Sequence, residues 1–470
     1  MISKRKISLL SCILSLAVAS GCSGTGSAPA PSAGSGSGSS SATSSGSGAA
    51  KEAGKSEAAQ PVASSAPKEN VTLRFSWWGN EVRHKATIDV INLYMKKNPN
   101  VTIKAEYRGK SERELIATGL AGGSIADIAQ LNPPWMEDFT RNSDFFVDFN
   151  TKKNLIDLSS IDPQFLKENG VFNNKLVGLP MGVNATIGIM NKTVADKFGI
   201  PSSLDTKWTW DDFYKYGKTV NQKDPESYML NMDIGSMVEF VLKRYIVQKT
   251  GKYMIGDDYS LGFTRDDLAE ALTYINKLYK DKVAIPASDA QVFNDAAQTN
   301  PKWINGKAVM VFSWTSTVSP YTNGIKGEFV PFALPVREGA KNTALIVKPP
   351  QVVAISNKSK NIDEAVRFVN FFLNDIEANK ILKDTRSISA VKPVADAVGA
   401  GKLYDPVVLK GHEYGMKNMG LGDNGPTTNG EIIEVLENAV EIVAYPNASI
   451  NKVTDDSMKL INDIVKTMKK

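Results

Sequence analysis

The sequence predicts an α/β fold, because residues 71–108 show the order strand, helix, strand. Apolar and polar residues alternate over residues 71–77 (VTLRFSW), which is the period of a strand with one buried face. A helical spacing of apolar residues follows, and an Asn-Pro-Asn turn at residues 98–100 ends it. Residues 101–107 alternate again. A helix that connects two strands in this way indicates a parallel pair of strands.

The first strand ends in residues that suit a ligand pocket. In open α/β sheets, ligands bind beyond the carboxyl ends of the strands. Trp78, Asn80, Glu81 and Arg83 follow this strand directly. Trp77 has the parity of the buried face and is predicted to be a core residue, whereas Trp78 has the opposite parity and is the better ligand platform. Helix capping or a surface ion pair is the alternative interpretation of the three polar residues.

A third predicted strand ends in similar residues. Residues 127–131 (DIAQL) form this short strand, and Asn132 and Trp135 follow it. The carboxyl ends of parallel strands meet at one edge of a sheet, so we expect these two side chains near Trp78. Core packing is the alternative for each tryptophan. Before this strand, residues 111–114 (SERE) have capping-box spacing and predict a helix start.

The later part of the chain continues to mix helices and strands. Thr209 precedes Asp211 and Asp212, which predicts a capped helix N-terminus, where acidic residues are favoured, rather than a pair of catalytic carboxylates. Trp314 follows a strand at residues 308–312 and is a further candidate platform. The remaining predicted elements are helices at 230–249, 265–282, 363–373, 431–443 and 454–468, and strands at 328–334 and 350–355.

Composition and charge argue against several classes of function. The chain has 470 residues and a net charge of +5, with acidic and basic residues interspersed, so nothing indicates nucleic-acid binding. Two separated histidines, and two cysteines that both lie within the first 22 residues, offer neither a metal site nor a histidine-based triad. We therefore predict no catalytic residue, no metal and no cofactor. A glycoside hydrolase would need two facing carboxylates about 5–10 Å apart, and Glu81 is the one acid that we place at the pocket edge.

The N-terminus has the features of an export signal. Three basic residues precede an apolar segment at residues 7–19, which is too short to span a membrane. Small residues then lead to Cys22, as in a bacterial lipoprotein signal, which predicts a signal peptide over residues 1–22 and lipidation of Cys22. An ordinary signal peptide with an incidental cysteine is the alternative. Residues 23–67, rich in Gly, Ser and Ala, predict a disordered tether with an end-to-end distance of roughly 35–40 Å.

Several segments in a fixed order resemble one family. They are RFSWWGNEVRH, KKNPNVTIKAEY, DIAQLNPPW, KLVGLPMGVNATIGIMNK, FGIP with TWDDF, INGKAVMVFSW and TRSISAVKP. Together they resemble the family 1 extracellular solute-binding proteins, the sugar receptors of ABC importers that include maltodextrin-binding protein. The resemblance implies two α/β lobes, each a mixed sheet flanked by helices, with the ligand cleft between them. It places one lobe at residues 70–182 plus 315–350 and the other at 186–311 plus 354–470. The chain crossings would lie near 183–185, 312–314 and 352–353.

The resemblance also implies a function. It adds Asn184, Arg386 and Ser387 to the predicted ligand-binding residues. The tryptophans favour a carbohydrate, and an oligosaccharide in particular. We expect a monomer that is anchored by lipid at Cys22 on the outer face of a Gram-positive cell membrane. It would deliver sugar to a membrane ABC permease. A glycan-acting surface enzyme and an adhesin are the alternatives.

Overall fold

The computed structural model describes residues 69–108, 113–141, 143–203, 207–294 and 296–469. The predicted signal peptide, Cys22, the tether and the capping box at residue 111 lie outside these ranges. Within them, no helix is both long and apolar enough to cross a membrane.

The described residues form twelve strands and eighteen α-helices. The strands are β1 (Val71–Trp78), β2 (Val101–Arg108), β3 (Ile128–Leu131), β4 (Val171–Phe172), β5 (Lys175–Leu176), β6 (Leu179–Pro180), β7 (Asn184–Asn191), β8 (Tyr228–Leu230), β9 (Ala308–Trp314), β10 (Phe329–Phe332), β11 (Val347–Lys348) and β12 (Val352–Ile355). The helices are α1 (Glu81–Lys97), α2 (Arg113–Ala121), α3 (Pro133–Thr140), α4 (Pro163–Gly170), α5 (Lys192–Phe198), α6 (Trp210–Lys223), α7 (Ile234–Met237), α8 (Lys243–Thr250), α9 (Arg265–Lys280), α10 (Ala287–Gln291), α11 (Pro301–Ile304), α12 (Val318–Thr322), α13 (Ile362–Asn374), α14 (Ile376–Leu382), α15 (Lys392–Ala400), α16 (Pro406–Asn418), α17 (Gly430–Val443) and α18 (Ile450–Met468).

The first sheet has the strand order β2-β1-β3-β12-β6. The predicted parallel pairing of the first two strands is confirmed, with Val71 opposite Val101. The third strand is also parallel to β1, whereas β12 runs antiparallel to both β3 and β6. Helices α1 and α13 pack beside this sheet, and α14 packs against both of them. Phe75 meets Phe368 of α13 edge to face, with ring centroids 5.7 Å apart, so an aromatic core joins sheet and helix.

The second sheet has the strand order β10-β7-β9-β8, and β11 pairs with the start of β7. Strand β7 is buried along its whole length because strands flank it on both sides and α16 packs against it. Burial on both faces explains why this strand (NATIGIMN) contains no charged residue. Four of its eight residues are Ala, Ile or Met. Helix α6 packs beside β8, and helices α9, α17 and α18 pack against one another in the same part of the molecule.

The two sheets define two lobes, and the fold class predicted from the sequence is confirmed. The strand pairing contradicts part of the expected lobe boundaries. Within residues 315–350, expected in the first lobe, β10 and β11 both pair with β7 of the second sheet. Within residues 354–470, expected in the second lobe, the end of β12 lies in the first sheet, α13 packs beside it and α14 packs against α13.

The chain passes between the lobes three times. It leaves β6 and enters β7 at residues 181–183, in agreement with the expected first crossing. It returns between β11 and β12 at residues 349–351, just before the expected position, and passes back between α15 and α16. The crossing expected at residues 312–314 does not exist, because β9 continues through Trp314 and stays paired with Thr186 of β7.

Most of the predicted elements are confirmed. The side chain of Thr209 accepts a hydrogen bond from the backbone of Asp212 at 3.0 Å in a full capping box, so capping explains the acidic pair at the start of α6. The helix expected at residues 230–249 is wrong at its start. Leu230 belongs to β8, and the helix begins only after Asp233, which caps α7.

The two adjacent tryptophans of β1 provide a test of the first sheet. Trp77 is only 2% exposed and Trp78 is half-buried, as their parity predicts. Truncation of a buried large aromatic residue costs about 3–5 kcal/mol, so Trp77→Ala should lower the free energy of unfolding by that amount. Trp78→Ala should cost much less. Urea denaturation of both variants measures this, and equal losses would contradict the assignment of Trp77 to the core.

Candidate functional site

An aromatic pair lies at the carboxyl edge of the first sheet. Trp78 ends β1, and Trp135 lies in the first turn of α3, where two prolines fix the start of the helix. Their ring centroids are 5.2 Å apart and their planes are inclined by 34°. Both side chains are half-buried, so each keeps some accessible surface. The expectation that the ends of two parallel strands bring these tryptophans together is confirmed.

Polar side chains follow the same strand ends as the aromatic pair. The side chain of Asn80 accepts a hydrogen bond from the Arg83 backbone at 2.9 Å and caps α1. The exposed carboxylate of Glu81 accepts a hydrogen bond from the Tyr107 hydroxyl at 3.3 Å. Asn132 occupies the N-cap position of α3 but its side chain makes no capping bond. Asn132 therefore keeps its whole amide group for other partners, whereas Asn80 already uses its side-chain oxygen as a cap and keeps its NH2 group.

Two predicted arginines lie behind this edge rather than on it. Arg83 is 6% exposed and donates to the backbone oxygen of Thr385 at 2.8 Å. Arg386 is 3% exposed and donates to Gln130 Oε1 at 3.0 Å and to Thr87 Oγ1 at 3.1 Å. Burial lowers the pKa of Arg83 to about 10, and burial together with the nearby Arg83 charge lowers the pKa of Arg386. These contacts fix the segment before Ser387 against the first lobe.

The remaining predicted polar residues meet where the chain crosses between the lobes. The Thr315 hydroxyl is 2.8 Å from Asn184 Oδ1 and 2.7 Å from Ser387 Oγ. Asn184 Oδ1 also accepts from the Ser316 backbone at 2.8 Å. Asn184, Thr315 and Ser387 are all buried. Their hydrogen bonds are therefore shielded from water, and they connect three distant segments of the chain.

Trp314 lies at the end of β9 in the second lobe and is partly exposed. Phe240 packs against it edge to face, with centroids 5.4 Å apart. The Lys348 ammonium lies 4.6 Å from the centroid of the Trp314 ring. A cation at this distance is attracted by the negative face of the indole. The predicted platform of the second lobe is thus a tryptophan with a lysine placed over it.

A cluster of charges is electrostatically coupled to this lysine. Lys243 donates to Glu239 at 2.5 Å and to Asp423 at 2.6 Å, and Arg244 donates to Asp423 at 2.7 Å. Lys243, Arg244 and Asp423 are almost completely buried. Burial opposes ionisation of Asp423, but Arg244, Lys243 and Lys348 outweigh it and hold the pKa of this carboxyl well below its usual range. A π-helical turn at Val238–Leu242 carries Glu239 and precedes the two cations.

Residues of both lobes line one small cavity, which shows where the two lobes face each other. Asn80 and Val82 of the first lobe line a small cavity together with Thr315, Ser316 and Ser319 of the second. A second cavity, of about 240 Å³, lies between α3 and residues 425–429, in the loop that carries Asp423. The candidate site is therefore the cleft between the lobes, with Trp78 and Trp135 near one wall and Trp314 near the other.

Sequence reasoning missed the charged residues of the second wall. Lys348, Lys243, Arg244 and Asp423 are far apart in sequence or lie in patterns dominated by helix periodicity. One signal was available, because Glu239, Lys243 and Arg244 are the charged residues in a largely apolar run, VEFVLKRYIV, and buried cations require acidic partners. No group of metal-ligating side chains occurs among the residues that the structure describes.

The chain belongs to the family of bacterial extracellular solute-binding proteins, whose model matches residues 78–378. A galactooligosaccharide-binding protein of Bacillus subtilis is 23% identical over 319 residues, which are 66% of this chain and 71% of that protein. A periplasmic solute-binding protein from Pectobacterium atrosepticum is 28% identical, with a TM-score of 0.78 over 85% of this chain and 100% of its own. An oligogalacturonide-binding protein from Yersinia enterocolitica, in complex with digalacturonic acid, is 24% identical with the same coverage and TM-score.

Replacement of Asp423 tests the charge cluster. Asp423→Asn leaves Lys243 and Arg244 buried without their shared carboxylate, so it should lower the free energy of unfolding by about 3–5 kcal/mol. Because the pKa of Asp423 is lower in the folded chain than in the unfolded chain, its stabilisation is present above about pH 4 and is lost as the pH falls. The difference between wild type and Asp423→Asn in chemical denaturation should therefore shrink in acid. A difference that does not change with pH would contradict this role.

Proposed function

We propose that this protein captures a carbohydrate, in particular an oligosaccharide, between its two lobes and delivers it to a membrane ABC importer. The observation that carries the proposal is the placement of aromatic rings in the cleft. Trp78 and Trp135 pair at the edge of the first sheet, and Trp314 ends a strand of the second. Sugar rings present apolar C–H faces and a rim of hydroxyl groups, so flat aromatic surfaces beside amides and carboxylates suit them.

We assign direct ligand contacts to the residues at the accessible edges. These residues are Trp78, Asn80, Glu81, Asn132, Trp135 and Trp314. The buried hydrogen bonds of Arg83, Asn184, Arg386 and Ser387 support a positioning role for these four residues instead. They hold the cleft walls and the crossing segments in place, so that the edge residues keep their geometry.

Closure of the lobes completes the proposed mechanism. Three chain crossings connect the lobes, so rotation about them can open and close the cleft without unfolding either sheet. Closure removes water from the sugar, and the protein must then supply hydrogen bonds in place of the lost ones. The polar side chains of Asn80, Glu81 and Asn132, at the same strand ends as Trp78 and Trp135, support this exchange of hydrogen bonds.

The relatives support a carbohydrate ligand. Two of the similar proteins are named for binding galactooligosaccharides and oligogalacturonides. The family consists of solute-binding proteins, and this favours a receptor over a glycan-acting enzyme or an adhesin. An enzyme would need a second carboxylate facing Glu81 across the cleft.

We further propose that the mature protein is a monomer, anchored by lipid at Cys22 on the outer face of a Gram-positive cell membrane. The basic, apolar and small-residue segments before Cys22 support export and lipidation. The Gly/Ser-rich segment that follows would let the receptor reach the importer in the wall space.

Intrinsic tryptophan fluorescence of the full chain, titrated with mono- and oligosaccharides, tests the proposed function. One class of saccharide should give a saturable change and no degradation products. Trp314→Ala should then weaken affinity by about tenfold or more, because aromatic contacts of this kind contribute about 0.5–1.5 kcal/mol beyond buried area. Tyr445→Ala is a matched control, since Tyr445 is an exposed aromatic residue in the helical part of the second lobe. Degradation products would indicate an enzyme, and unchanged affinity would remove Trp314 from the site.

The lipid anchor has its own test. Cys22→Ala should abolish lipid attachment and release the protein from the membrane fraction, while saccharide affinity stays as in the wild type. Fractionation of cells that express each form measures the first effect, and fluorescence titration measures the second. Continued membrane attachment of the variant would contradict the anchor.

A further inference from the structure

The charges near Trp314 do not balance. Lys243, Arg244 and Lys348 contribute three positive charges, and Glu239 and Asp423 contribute two negative ones. Both carboxylates are already engaged by Lys243 and Arg244, at distances of 2.5–2.7 Å. One positive charge is therefore left without a counter-charge within this cluster.

The unbalanced charge belongs to Lys348. Among the described residues, its ammonium has neither a hydrogen bond nor an ion pair, and it lies 4.6 Å from the centroid of the Trp314 ring. A cation–π contact attracts the ammonium but does not neutralise it. Burial lowers the pKa of Lys348, because it outweighs the attraction from Glu239 and Asp423, which is itself stronger than the repulsion from Lys243 and Arg244. The charged form of this lysine is thus poorly compensated by the protein itself.

The position of Lys348 makes this charge available to a ligand. Lys348 ends β11, opposite Asn184 and next to the crossing at residues 349–351, and the residue as a whole is half-buried. Trp314 beneath it leads directly into Thr315 and Ser316, which line the cavity between the lobes. The uncompensated ammonium therefore lies beside the sugar platform of the second lobe, at the cleft.

We propose that Lys348 binds an anionic group of the ligand, so that the cleft selects an acidic oligosaccharide over its neutral counterpart. This inference rests on the proposed carbohydrate function and specifies its substrate class. The anionic group would be a uronate carboxylate or a sulfate ester, since a lysine ammonium acts as a point charge toward both. With the anion bound, the charge cluster and ligand together would be neutral.

Calorimetric titration of the full chain with three sets of saccharides tests the inference. The first set is uronic-acid oligosaccharides, the second is the same oligosaccharides after reduction of their carboxyl groups, and the third is sulfated neutral oligosaccharides. One anionic set should bind roughly tenfold or more tightly than the reduced set, which is the range of a hydrogen bond to a charged group. The anionic set that binds more tightly identifies the anion.

Variants at Lys348 separate charge from packing. Lys348→Met keeps an unbranched side chain over Trp314 but removes the charge, so it should weaken the acidic ligand roughly tenfold or more and leave the reduced ligand nearly unchanged. Lys348→Arg keeps the charge and should retain most of the preference. Lys459→Met, at an exposed position on α18, is the matched control and should change neither affinity. Thermal melting of each variant confirms that it is folded.

The outcomes distinguish this inference from the function on which it rests. Equal or tighter binding of the reduced set, unaffected by Lys348→Met, would overturn the anion subsite and leave the proposed carbohydrate function intact. Equal weakening of acidic and reduced ligands by Lys348→Met would also overturn it, because packing alone would then explain the lysine. Failure of all three sets to bind would contradict both proposals.

Discussion

The structure depends on the hydrogen bonding of the segments that cross between the two lobes. The backbone of Val183 donates to Ile388 at 2.7 Å, Met181 donates to Gln351 at 3.0 Å, and Thr186 donates to Ile346 at 3.0 Å. The crossings are therefore bonded to neighbouring segments instead of forming independent linkers. A hinge of this kind restricts the relative motion of the lobes to a few directions, and the buried Thr315 hydroxyl adds side-chain bonds to it.

The parts of the fold that could be predicted from the sequence are those that leave a local pattern in it. The parallel pair β1 and β2, the core position of Trp77 and the capping box at Thr209 follow from local periodicity and capping rules. The lobe boundaries do not, because β9 and β10 both join the central strand β7, and the pairing of distant strands leaves no local pattern. The segment with β10 was accordingly expected in the other lobe.

The distinction between local patterns and contacts of distant segments also applies to the candidate site. Trp78 and Trp135 could be placed together because two parallel strands bring their carboxyl ends to one edge. The place of Arg83 after the first strand, and the family resemblance in the case of Arg386, suggested a cleft position, but the partners of both are backbone and side-chain groups of the first lobe. Sequence shows that a residue is charged, whereas only the fold shows whether its charge is already satisfied. Lys348 is the converse case, since no sequence pattern singled it out and its ammonium has no hydrogen-bond or ion-pair partner among the described residues.

Uncompensated charge at a hinge cleft couples specificity to motion. In an open cleft, water solvates the Lys348 ammonium, and the missing counter-charge costs little. Closure removes part of this water, so the cost of the isolated charge rises as the lobes approach. A neutral sugar would not reduce the free-energy cost of desolvating the ammonium, whereas the anionic group of an acidic sugar would attract the ammonium and offset that cost. A ligand shifts a conformational equilibrium only by its difference in affinity for the two states. Discrimination would therefore be expressed at closure, the step that presents a loaded receptor to its importer.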